Sequence, residues 1–427
     1  MSFLNLPMLY SPPLSLPYFD EKIAWLGYKM QRNLGYFIFL VSFLGVLSID
    51  IHLPAIPLII KELHADKIQA QCIFLYPFLI SVFARLLVGP MIPKVGRKRF
   101  LLVAYAIALF AQASCALAPT IDWLLVLRVP AGVSGAMLGV SIALLVAEFF
   151  EGEYRARMQG LMELAYSAAI TIAPVFGAFI SESFGWRGCF GFVFFAFLIN
   201  ALLILNTFPD VPGVLHQQDS PLTLKSSFRD YKVLFLNPKS LILLVTPGLL
   251  VGTHLIFSIN SPFFYIMQFG VSPKMFAFYQ STPILVNIVF LSIYRYAITQ
   301  IGFDRAISIG VSGYAVFLMY LAAILLGFIP ANPKFLLIMM CIQCASTSFL
   351  ISSFSAKLFD CVPHSKNSIA SLVSTVRPLC ISICLTIATF FGSKNLEEVL
   401  LVCFFASGLF AFALALLSRQ IVAKASA

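Results

Sequence analysis

Apolar runs of about twenty residues, separated by short polar turns, recur from residue 36 to residue 417. A water-soluble fold has no core large enough to hide that many. Each run is long enough to cross a hydrocarbon layer of about 30 Å as an α-helix rising about 1.5 Å per residue. The alternation of polar and apolar residues that a membrane β-barrel requires is missing. Charged residues make up 11% of the chain, against roughly a quarter in soluble domains, and mean hydropathy is +0.95. The sequence therefore predicts an all-α membrane protein whose main partner is the lipid bilayer.

The hydropathy pattern predicts twelve spans, at 36–60, 71–92, 100–119, 122–149, 158–181 and 188–208, then 239–269, 275–297, 305–329, 334–357, 367–391 and 397–417. The longest polar stretch, 209–238, divides them into two sets of six. This predicts an N-terminal tail over 1–35, six-helix pseudo-repeats over 36–208 and 239–417 joined by the 209–238 linker, and a C-terminal tail over 418–427. Repeats of this kind hold their ligand between them, near the middle of the bilayer. The tail over 1–35 has Pro7, Pro12, Pro13 and Pro17 and lacks the layout of a signal peptide.

The net charge of +10 is read as a membrane signal, with no nucleic-acid partner expected. With the N-terminus inside, 19 of the 28 Lys and Arg residues fall in cytoplasmic segments and six in outer loops. That bias predicts that both termini and the linker are cytoplasmic, in an inner membrane. The remaining three, Arg85, Arg128 and Arg377, fall inside spans. Cys341 and Cys344 form a C-x-x-C inside an apolar span with no second ligand pair, so helix packing is expected there, with no metal and no cofactor.

Four short motifs carry a resemblance. Between spans 2 and 3 the chain reads Gly89-Pro-Met-Ile-Pro93-Lys94-Val-Gly96-Arg97-Lys98-Arg99. Span 4 contains Leu127-Arg128-Val-Pro-Ala131-Gly132-Val-Ser-Gly135-Ala136, and span 5 contains Ala173-Pro174-Val-Phe-Gly177-Ala178, followed by Gly185-Trp186-Arg187. Span 1 carries Asp50-Ile-His52-Leu-Pro54-Ala-Ile-Pro57. In their order and spans these resemble the loop signature, buried-arginine motif, antiporter motif and D-x-x-L-P-A-x-P run of the major facilitator superfamily, and in particular its bicyclomycin-resistance-type drug:proton antiporters. Pro93 stands where the loop signature has Asp, and Ala131 where a Gln is common. The resemblance is strongest over 36–208; the rest matches in hydropathy and length.

Charges near the bilayer centre cost roughly 2.5–3.5 kcal/mol each on insertion scales, so each needs a reason. Asp50 lies roughly ten residues from the outer end of span 1, and Glu163 is on span 5 nearer the cytoplasm. Both are candidate proton carriers, and both could instead be static ion-pair partners. Arg128, Arg377 and Arg85 are candidates for substrate binding or charge relay, and Arg85 could also reach the cytoplasmic interface. Asn260 and Asn287 could face a cavity. Gly89, Gly96, Arg97 and Lys98, with Glu148 as a partner for Arg97, form a candidate cytoplasmic gate. Pro174 and Gly177 are the antiporter-motif residues. Small polar residues on span 10, from Ser346 to Ser355, could line a cavity or pack helices.

The reading that results is a monomeric secondary transporter that expels small organic or drug-like compounds against protons by alternating access. A carrier for an anionic metabolite or siderophore-like solute is the first alternative, given three buried arginines against two deep carboxylates. A membrane-embedded enzyme is the second. It would need clustered ligands or a Ser–His pair within the spans, whereas His254 lies deep without an acidic partner in sequence and His52 is judged to face away from Asp50.

Overall fold

The computed structural model describes residues 21–88, 95–149, 152–207, 238–361 and 366–391, together with 395 and 398–402. The regular elements among them are helices: α1 (Glu21–Asp50), α2 (Ile56–Leu63), α3 (Lys67–Val88), α4 (Arg97–Ala116), α5 (Ile121–Phe149), α6 (Gly152–Thr207), α7 (Pro238–Pro262), α8 (Pro273–Leu325), α9 (Pro333–Cys361) and α10 (Lys366–Phe391). A 3₁₀ turn, Leu53–Ala55, separates α1 from α2, and a π-helical segment, Phe263–Gln268, continues α7.

Nine stretches among the described residues are long and apolar enough to cross a membrane, from Leu34–Leu63 to Pro333–Phe354. A tenth helical stretch, Val376–Thr389 on α10, is apolar but shorter. The stretch Gly160–Asn206 counts as one of the nine, yet its 47 residues would extend for about 70 Å as a straight helix, more than twice the hydrocarbon thickness. It does not run straight: Gly185 has φ +68°, a left-handed value that glycine tolerates, and the chain reverses there. Gly302 does the same within α8. The expected spans 158–181 and 188–208 thus lie on either side of Gly185. The twelfth expected span, 397–417, falls outside the described residues except for 398–402, as does the expected linker 209–238 except for Pro238.

Packing follows from which faces lack charge. The most extensive pairings are α8 on α9, α1 on α6, α3 on α5, α4 on α5 and α7 on α10. Large apolar side chains stand outward over much of the surface, among them Phe83, Phe110, Phe179, Phe195 and Phe328, the distribution expected where the surrounding solvent is lipid.

Candidate functional site

The span expected at 36–60 is two helices. Pro54 has no N–H for the Asp50 carbonyl, and its ring crowds that carbonyl, so α1 stops at Asp50 and the chain restarts as α2 at Ile56, with Pro57 in its first turn. The break leaves backbone carbonyls without helical partners near the middle of the Leu34–Leu63 stretch. α6 covers it. Gly177 lies so close that a Cβ there would stand 2.0 Å from the Ile51 carbonyl oxygen and 2.9 Å from Pro54 Cγ. Asp50 itself is half-buried, and among the described residues its carboxylate has no hydrogen-bond or ion-pair partner.

Arg128 answers a different proline. Pro77 inside α3 leaves the carbonyl of Ile73 without its helical donor, and Arg128 Nε donates to that oxygen at 3.0 Å. One turn further along α5, Gly132 admits the bulk of Pro77: a Cβ there would be 2.7 Å from its carbonyl oxygen. Arg128 is 1% exposed, its guanidinium stands 5.8 Å from the centroid of Phe190, and Nη2 has no partner among the described residues. His52, fully buried in the α1 break, stacks on the same ring at 3.9 Å and 21°, with neither ring nitrogen hydrogen-bonded among the described residues. Replacing Arg128 by Met should cost about 1–3 kcal/mol by orphaning the Ile73 carbonyl. Pro77→Ala, which restores a backbone donor, should recover part of that loss in the double variant. Thermal unfolding in detergent reads both, and a double variant no steadier than Arg128→Met alone would remove the proline from the explanation.

At one end of the bundle, polar contacts join helices from the two sides of the linker. Gln71 Nε2 on α3 donates to Asn260 Oδ1 on α7 at 2.5 Å, with both side chains buried. Ser281 on α8 donates to the Thr171 carbonyl of α6 at 2.6 Å. Lys274 pairs with Glu182 at 2.9 Å, and the Lys67 ammonium lies 5.2 and 5.5 Å from the rings of Phe263 and Phe264. Around the same end Glu62 bonds both Arg187 and, at 2.6 Å, the indole nitrogen of Trp186, tying α2 to the Gly185 reversal. The exposed pairs contribute little each, so the buried amide pair is the strongest polar link among these. Between α3 and α10 an apolar slot of about 180 Å³ is lined by Leu79, Val82, Phe83, Leu379, Ser382 and Ile383, among others.

The sequence model of the Major Facilitator Superfamily matches residues 38–383, most of the chain. This chain is a member of the Major Facilitator Superfamily. It is a multi-pass membrane transporter for a small-molecule substrate, and the family is not one of enzymes. Among curated proteins it is 25% identical to the MFS-type transporter YdgK of Bacillus subtilis, over 58% of this chain and 62% of that one. It is 22% identical to the bicyclomycin resistance protein homolog of Haemophilus influenzae, over 66% and 72% of the two chains. Multidrug resistance protein MdtM of Salmonella typhimurium matches at 22% over 71% and 72%. The bacterial homologue of the human lysosomal transporter Spinster, solved in an inward-facing, unoccupied conformation, superposes with a TM-score of 0.72 at 14% identity, covering 92% of this chain and 98% of that one. The D-xylose–proton symporter superposes at 0.71 and 12%, over 90% and 97%.

Against that superfamily's motifs the expected residues distribute as follows. Gly96 caps α4 at φ +85°, the conformation that the loop signature's glycine permits. Arg97 lies beside Ser141 and Leu145 of α5, about one turn before Glu148, whose side chain is outside the description. Lys98 bonds the Leu205 carbonyl of α6 at 3.1 Å. Gly89 and the side chain of Glu163 also lie outside the described residues. Pro174 is buried in α6, and Gly177 sits against the α1 break.

Arg85 lies against Gly139 of α5, its Nη2 within 3.2 Å of where a Cβ would stand. Arg377 packs its backbone on Gly248 of α7. Asn260 is engaged by Gln71, and Asn287 bonds the Cys344 carbonyl and Ser348 Oγ of α9 at 3.1 and 2.9 Å, so both amides are held between helices. Ser346 and Ser348 of α9 bond backbone carbonyls, as helix-packing residues do, and Ser353 donates to the Tyr294 hydroxyl of α8 at 3.3 Å. Sequence reasoning did not place His52, which stacks on Phe190 at the break. Its signal was present, in a histidine two residues before a proline in mid-span, but its facing depends on the break.

Proposed function

We propose that the chain is a proton-coupled exporter of small organic, drug-like compounds, working by alternating access. The observation that carries this reading is Asp50, an ionisable side chain without a partner at a break in the middle of a span. An unpaired buried carboxylate is costly when charged, so it gains a role if it takes up and releases protons as its surroundings change. Resistance proteins among the relatives, named for bicyclomycin and for multiple drugs, support the cargo class. Glu163 is the second carrier in this proposal. Arg128, Arg377 and Arg85 shape its electrostatics, and Gly89, Gly96, Arg97, Lys98 and Glu148 form its cytoplasmic gate.

The architecture in this proposal has twelve helices in two six-helix repeats over 36–208 and 239–417, with both termini and the linker in the cytoplasm of an inner-membrane monomer. The end joined by Gln71 and Asn260 is then the outer end, closed in this conformation. Cysteines at positions 71 and 260 should cross-link readily and arrest transport, with activity restored on reduction. Efficient cross-linking with undiminished transport would detach that contact from the cycle.

The function is tested by flux in proteoliposomes with an imposed pH gradient. Accumulation of cationic or neutral drugs driven by the gradient is expected. Gradient-insensitive flux, or movement of carboxylates alone, would refute it. The unpartnered Arg128 Nη2 favours the second reading, an anionic solute, and the same panel separates the two.

A further inference from the structure

We propose that Gln343, with His254 beside it, forms a subsite that recognises neutral hydroxyl or amide groups on the transported compound; this rests on the drug-export reading above. Gln343 and Cys344 lie near the middle of the stretch Pro333–Phe354, His254 near the middle of Leu241–Gln268, and Asn287 near the middle of Pro273–Ile298. Asp50 is at a similar point of Leu34–Leu63. The cluster is therefore set at the depth of the bilayer where a central ligand would rest, on helices from the other side of the linker.

The polar groups around Gln343 have partners. His254 Nδ1 meets the Cys344 thiol at 3.6 Å, and Asn287 spans α8 and α9 through the Cys344 carbonyl and Ser348. Ser348 Oγ in turn bonds the Asn287 carbonyl at 3.1 Å. Gln343 stands apart from this order. It is 1% exposed and adjoins His254, yet neither Oε1 nor Nε2 reaches hydrogen-bond geometry with any described group. Interiors rarely leave both ends of a carboxamide unpaired, because the desolvation is uncompensated. A bound group that supplies a donor and an acceptor would satisfy both.

The chemistry narrows what that group is. A carboxamide offers two N–H donors and an acceptor oxygen and carries no charge, which matches a hydroxyl or amide and gives no preference for an ion. α7 contains no Asp or Glu, and the one acid of α9, Asp360, is at its far end. Cation recognition is thus left to the Asp50 side, and hydrogen-bond recognition falls to this one. A compound bearing both features would engage both groups.

The test measures binding of two probes to the full-length protein reconstituted in nanodiscs. Chloramphenicol is neutral and carries two hydroxyls and an amide; tetraphenylphosphonium is a cation with no hydrogen-bonding group. In Gln343→Met, and equally in Gln343→Leu, the Kd for chloramphenicol should rise about three- to tenfold, the range of one or two neutral hydrogen bonds. Tetraphenylphosphonium should stay within about twofold, and the melting temperature should not fall, since no partner is left unpaired. Equal loss for both probes, no loss for either, or unfolding of both variants would overturn the subsite. So would a wild type that binds only the cation. A wild type that binds neither probe would overturn the drug-export reading, and this subsite with it.

Discussion

Gly177→Ala is expected to abolish transport and to destabilise the protein by about 3 kcal/mol or more, although alanine is the better helix former by about 1 kcal/mol. The added methyl would lie 2.0 Å from the Ile51 carbonyl oxygen and 2.9 Å from Pro54, and the nearer of these is backbone that cannot rotate away. Relief requires α6 to withdraw from the α1 break, which would expose the carbonyls it covers and shift Asp50. Gly135→Ala provides the control. It lies in another superfamily motif, but no described residue stands within 4 Å of its Cβ position, so stability should hold or rise slightly. Melting in detergent and flux in vesicles would be compared for the two variants. Equal behaviour would mean that the close approach at Gly177 contributes nothing.

Asp50→Asn should lower pH-gradient-driven drug accumulation at least tenfold while leaving the protein as stable as before. The stability half follows from the missing partner. Breaking a buried ion pair costs about 3–5 kcal/mol because a charge is stranded, whereas neutralising an unpaired carboxylate strands nothing and removes a desolvation cost. The two roles weighed for Asp50 therefore separate cleanly. A structural ion-pair partner would give a destabilised variant with coupling preserved in whatever still folds; a proton carrier would give a stable variant with coupling lost. Downhill drug movement should survive in Asp50→Asn, since binding and alternation do not require the proton. Gradient-driven accumulation at the wild-type rate would end the proton-carrier role.

Among the described residues, hydropathy placed the starts of several apolar helices to within a few residues, because a bilayer demands length and apolarity and both are written in one dimension. The expected starts at 36, 100, 122 and 334 lie within a few residues of Leu34, Arg97, Ile121 and Pro333. Motif glycines were legible for the same kind of reason, since Gly96 and Gly185 hold backbone values that other residues resist. Side-chain partnerships were not legible. Asn260 and Asn287 could be placed on spans, but which face each presents depends on helix rotation, and both turned out to bond neighbouring helices.

What the sequence by itself determined is the solvent, the helical class, the superfamily and the position of each rare polar residue along its span. Only the tertiary structure decided which of those residues meet. Pro54 predicts a disturbance in span 1, but that Gly177 of α6 packs against it is a fact about two positions 123 residues apart. Pro77 frees the Ile73 carbonyl, but that Arg128 takes it depends on how α3 and α5 cross. In a bilayer nearly every face of every helix is apolar, so periodicity no longer distinguishes inside from outside. Close packing and the need to satisfy each freed backbone group then choose the partners.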